Sequence, residues 1–129
     1  MLKKAIVSTF GILLLAGCQT AGTTRTIPAG QSIRLDFATS LNADCTPTGE
    51  VTARLVSGPS NGTVQIDKTM ANPTYLQSNQ RYVCNTRKVP GTRVTYTPKP
   101  GFTGTDNVAV EMFFPSGVNR TNSYTIIVK

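Results

Sequence analysis

Apolar residues that alternate with polar ones, in short runs broken by glycine and proline, constrain this chain more than any other feature. Ser32-Ile33-Arg34-Leu35-Asp36-Phe37 sets Ile33, Leu35 and Phe37 at every second position, the period of a strand with one buried face. Similar runs lie at Val51–Val56, Thr63–Ile66, Gln80–Cys84, Arg93–Thr97, Asn107–Phe114 and Tyr124–Val128. Turn signals separate them at Ser57–Gly62, Val89-Pro90-Gly91, Pro98-Lys99-Pro100-Gly101 and Pro115-Ser116-Gly117. No stretch keeps a helical period over three turns. About seven short strands rich in Thr and Val predict an all-β sandwich.

The N-terminus follows a different pattern. Lys3 and Lys4 precede the apolar run Ala5–Leu15, which falls short of the ~20 residues a membrane-crossing helix needs. Its length and flanks are those of a secretory signal, so residues 1–17 are set apart from the fold. Leu15-Ala16-Gly17-Cys18 resembles the lipobox of bacterial lipoproteins, in which the cysteine is acylated and becomes the first residue of the mature chain. The resemblance implies a membrane anchor at Cys18 without any transmembrane helix, since two or three acyl chains hold far more firmly than one. Gln19 stands where aspartate would signal inner-membrane retention, so the resemblance favours the outer membrane, on its periplasmic face or its surface.

With Cys18 assigned to lipid, Cys45 and Cys84 remain of the three cysteines. An exported chain meets an oxidising compartment, where such a pair in a small domain is usually bridged. Closing a loop of about 40 residues contributes ~4 kcal/mol by chain entropy. Zinc fits poorly, because the chain has no histidine and no Cys-x-x-Cys spacing. Residues 18–30 are small and polar and read as a lipidated linker of at most ~40 Å reach, leaving 31–129 as the folded domain.

Gly58-Pro59-Ser60-Asn61-Gly62-Thr63-Val64 and Val94-Thr95-Tyr96-Thr97-Pro98-Lys99-Pro100-Gly101-Phe102-Thr103-Gly104-Thr105-Asp106 resemble bacterial Ig-like and cadherin-like repeats. The resemblance implies an Ig-like, Greek-key sandwich and says little about activity. On its residues, Gly62 should take the positive φ of a turn, and Pro98 and Pro100 should end a strand. Phe102 should plug one end of the core, and Asp106 should accept backbone N–H bonds within its own corner. Val108 stands where the repeats often carry an aromatic residue. The stretch Asp67–Val89 replaces a short hairpin with a longer polar excursion, the first place to look for a specific role.

A formal charge of +7, still positive once Lys3 and Lys4 are removed, favours anionic surfaces. Nucleic acid does not fit an exported chain. Arg81, Tyr82, Arg87, Lys88 and Arg93 form a candidate interaction face for phosphate or an acidic partner; the alternative is a solvated edge whose charges oppose strand-to-strand aggregation. Without histidine, serine–histidine and cysteine–histidine schemes are closed, and the six acids show no motif spacing. No catalytic residue, metal or cofactor is therefore expected, and Asp106 reads as a turn cap rather than a calcium ligand. Two function classes follow. One is a lipid-anchored envelope module that binds an unidentified envelope or host protein. The other is an inhibitor of an enzyme such as lysozyme, which long-range charge disfavours because lysozymes are themselves strongly basic.

Overall fold

The computed structural model describes residues 22–129. Residues 1–17, expected to be a signal segment, and Cys18 lie outside the described residues. Seven strands form: β1 Thr23–Ile27, β2 Ile33–Ala38, β3 Thr52–Ser57, β4 Gly62–Ala71, β5 Val89–Pro98, β6 Gly104–Phe113 and β7 Asn119–Val128. A 3-10 helix, Gln80–Thr86, lies between β4 and β5. One sheet has the order β1-β7-β6-β3 and the other β2-β5-β4. The chain crosses between sheets after β1, β2, β3 and β5, the Greek-key connectivity of an immunoglobulin-type sandwich. The disulfide Cys45–Cys84 is formed. It joins two connecting segments at one end, not the two sheets.

Alternation carries the interior. Val94 and Tyr96 from β5 meet Val108, Val110 and Met112 from β6 and Tyr124, Ile126 and Val128 from β7, with Leu35 and Ile27 completing one contiguous core. Phe102 packs half-buried against this cluster. A register shift between Arg34 and Asp36 in β2 breaks the simple period. Beyond that bulge Asp36 stands opposite buried Val94, while Phe37 stands opposite the half-exposed Arg93. Phe37 thus leaves the main core, and its ring lies over Gly91, where any Cβ would come within 2.5 Å of it. There it joins a second cluster with Leu41, Cys84, Val89 and Tyr75.

Four expectations are corrected. The linker assigned to residues 18–30 contains β1, which pairs parallel with β7 from Thr23↔Tyr124 to Ile27↔Val128. Four of its five side chains are exposed, so a polar edge strand gave no apolar alternation to read. Gln80–Cys84 is a 3-10 helix, capped by the Asn79 side chain accepting from the Arg81 N–H at 2.8 Å, and Cys84 is its one buried residue. The excursion is shorter than Asp67–Val89, because Asp67–Ala71 continues β4 and pairs with Val89–Arg93. Gly62 has no positive φ; glycine is needed because a Cβ would lie 2.6 Å from the Thr97 carbonyl oxygen and 2.7 Å from the Tyr96 ring.

Candidate functional site

Strand register sorts the connections to two ends. Residues 28–32, 58–61 and 99–103 make short links at the end where Ile27, Gly104 and Val128 are neighbours. Residues 39–51, 72–88 and 114–118 lie at the other end, beside Phe113 and Asn119. Two of these are the longest connections in the domain, and the disulfide ties them together.

Segment 72–88 is a built structure. Asn85 donates to the Tyr75 carbonyl and accepts from the Tyr75 N–H, both at 2.9 Å. Asn72 donates to the Asn85 carbonyl at 3.0 Å. Arg81 Nε donates to the Leu41 carbonyl at 2.6 Å, so this arginine joins the two disulfide-linked segments a second time. Buried Cys84 and half-buried Tyr75 close the second cluster beneath. Burial pushes the Tyr75 hydroxyl above its ordinary pKa, with the Arg81 charge opposing it.

Between this segment and the β6–β7 turn runs a cleft of about 750 Å³. It opens beyond the first pair of β1, Thr23↔Tyr124, where among the described residues no strand pairs with Asn119–Asn122 on that side of β7. Arg81 and Arg120 line it with the amides of Asn42, Asn79 and Asn122 and the apolar bodies of Tyr75, Phe114 and Val118. The Arg120 guanidinium lies 5.4 Å from the Phe114 ring centroid. Asp36 accepts from Asn122 Nδ2 at 2.8 Å and from the Tyr124 hydroxyl at 2.9 Å, which sets the side of the cleft from β2. Burial first, then the Asp36 charge and hydrogen bond, push the Tyr124 hydroxyl above its ordinary range. Two guanidinium groups, several amides and aromatic faces suit recognition of a polar or acidic ligand by hydrogen bonding and stacking. A second groove of about 670 Å³ opens on the opposite edge, lined by Val51, Lys68, Met70 and Thr92 among others.

The five residues of the sequence-derived face stand in different settings. Arg81 lines the cleft and is held by Leu41. Tyr82, Arg87 and Lys88 are exposed on and just after the helix. Arg93 sits within β5, paired to Asp67 at 2.6 Å, and hydrogen bonding to that guanidinium holds the Asp67 carboxyl below its usual range. Arg120, Asn122, Phe114 and Asp36 are additions that sequence reading missed. The aromatic pair Phe113-Phe114 beside a turn was the available signal, but nothing local told that Arg81 would stand across from it.

At the other end, Asp106 organises the connection between β3 and β4. Its carboxylate accepts from Ser60 N–H at 2.8 Å, Asn61 N–H at 2.9 Å, Asn107 N–H at 2.9 Å and the Tyr96 hydroxyl at 2.9 Å. Burial pushes its pKa up, and these donors outweigh burial and hold it below the usual value. The donors expected from its own corner come mainly from a turn more than forty residues earlier. Among the described residues, no three His, Cys, Asp or Glu side chains gather as a metal site.

No family model matches the chain, and no curated protein does. Among solved structures the chain is similar to amebosin, whose structure was determined in solution, at 14% identity and a TM-score of 0.45. That similarity covers 83% of this chain and 89% of the other.

Proposed function

We propose that this chain is a lipid-anchored binding module of the bacterial cell envelope, non-catalytic, carrying a single Ig-like or cadherin-like sandwich on an acylated Cys18. The lipobox-like residues Leu15–Cys18 support export and anchoring, and Gln19 supports the outer membrane. One structural observation carries the binding role: the longest connections gather at one end, pinned by Cys45–Cys84 and by Arg81 on Leu41, beside an open cleft. Loops held rigidly at one end of a sandwich form a recognition surface with little ordering cost on binding. The partner class is an envelope or host protein that offers acidic or polar groups to Arg81 and Arg120.

Photocrosslinking in intact cells tests the reading. A photoreactive residue at Asn42 or Arg120 should give discrete adducts with another envelope or host protein, while one at Gln31 or Thr103 should give none. Adducts that arise equally from both ends, or only from Gln31 and Thr103, contradict it.

A further inference from the structure

The direction and register of β1 limit how the domain can sit on its anchor. β1 runs parallel to β7, and Gly22 still lies against it, since a Cβ there would be 3.3 Å from the Ser123 carbonyl oxygen. Four residue steps separate Gly22 from Cys18, a reach of at most ~14 Å. From Ser123 the short-loop rim at Val128 is five strand residues away, ~17 Å, and the chain would have to reverse direction to approach it. The long-loop rim at Asn119 is four residues away, ~14 Å, and lies in the direction from which the chain enters. A lipid on Cys18 therefore reaches the long-loop rim with less extension than the short-loop rim, and without a reversal of the chain.

The long-loop end carries a surface suited to a bilayer. On segment 72–88, Leu76 is 77% exposed, Val83 63% and Tyr82 46%, so three large apolar or aromatic side chains of one segment are open to solvent. Exposed Arg87 and Lys88 follow directly on the helix. No carboxylate occurs between Asp67 and Asp106; the carboxylate that senses Arg87 is exposed Asp44, on the disulfide-linked segment 39–51. Apolar and aromatic side chains next to cations are the combination that binds the headgroup region of anionic membranes.

We infer that the long-loop end faces the membrane that holds the anchor, with Leu76, Tyr82 and Val83 entering the headgroup region and Arg87 and Lys88 contacting anionic phospholipid. The inference rests on acylation at Cys18. It places the cleft close to the bilayer, so a partner reaching Arg81 and Arg120 does so beside the membrane surface.

The chain has no tryptophan, so single replacements report position directly. Val83→Trp, Leu76→Trp and Gln31→Trp would be prepared in the mature acylated chain. Each would be reconstituted into phosphatidylethanolamine/phosphatidylglycerol vesicles with brominated acyl chains, after flotation shows that the chain is vesicle-bound. The expected result is quenching several-fold stronger for Val83→Trp and Leu76→Trp than for Gln31→Trp. Adding Arg87→Glu and Lys88→Glu, or replacing the lipids with phosphatidylcholine, should weaken it. Equal quenching at both ends in a chain that floats would overturn the orientation and leave the anchor standing. Strong quenching at Val83 that ignores both the charge reversal and the lipid change would overturn the anionic contact. A chain that fails to float overturns the anchor and this inference together.

Discussion

Two tyrosine–carboxylate bonds join the sheets, Tyr96 of β5 to Asp106 of β6 and Tyr124 of β7 to Asp36 of β2, each 2.9 Å long. Each sheet supplies one phenol and one carboxylate. Asp106→Asn should cost about 1.5–3 kcal/mol at neutral pH, because buried donors then face a neutral and only partly accepting amide. Urea denaturation measures this. The Asp106 carboxyl lies below its unfolded pKa, so its contribution is full above pH ~4 and is lost as pH falls through the folded value. The variant's stability should therefore fall less on acidification than that of the wild type. The tyrosines act at the other extreme. Burial first, and then the partner carboxylate, raise both phenol pKa values. Above pH ~10 the unfolded chain releases protons that the folded chain keeps, so stability should drop as pH rises, and Tyr96→Phe with Tyr124→Phe should flatten that drop. An acceptor role for Asp106 was legible from its place in a Gly/Pro corner. Its partners were not, because Ser60 and Asn61 approach it only when β3 and β6 pair.

β5 from Val94 onward, β6 from Val108 onward and the Tyr124–Val128 half of β7 announce themselves in the sequence, because alternate residues there are apolar and buried. Asn119–Ser123 of β7 buries none, and Val89-Pro90-Gly91, read as a turn, opens β5. β1 and the 3-10 helix do not announce themselves. The first is polar on an exposed edge, and the second is shaped by Asn79 and by Cys84 rather than by periodicity. β3 shows a third case: Leu55 is 42% and Val56 53% exposed, because a bulge between Leu55 and Ser57 turns the end of this edge strand from the core. The excursion depends on its covalent tie. Cys45→Ser with Cys84→Ser should lower stability by about 2–4 kcal/mol and speed proteolysis within 72–88 while the strands persist. Protease mapping after reduction reads this directly. Core substitutions should scale with burial: Ile126, fully buried, should cost about 2–5 kcal/mol on truncation to Ala. Phe102→Ala should cost less than the ~3–5 kcal/mol typical of a core aromatic, because half-buried Phe102 only caps the cluster.

Over the whole molecule the two ends differ in kind. The short-loop end is tied by Asp106 to a turn and to Tyr96, where Gly58 has φ +66° and its position would bring any Cβ to 1.9 Å from the Asn107 carbonyl. That end is spent on holding the sheets together. The long-loop end carries the disulfide, the second cluster, the cleft and the exposed Leu76, Tyr82, Val83, Arg87 and Lys88. The sequence pointed to the segment between β4 and β5 as unusual through its length and its cysteine. It could not show that the β6–β7 turn stands across from it, since that proximity arises from sheet pairing alone. On the proposed reading, this long-loop end is the contacting end of a membrane-anchored domain. Hydrogen–deuterium exchange of the mature chain in envelope membranes, compared with the purified chain in detergent, tests it most directly. Slowed exchange is expected in residues 39–51, 72–88 and 114–118, with residues 28–32, 58–61 and 99–103 unchanged. Slowing confined to the short-loop end, or no difference at either end, would contradict it.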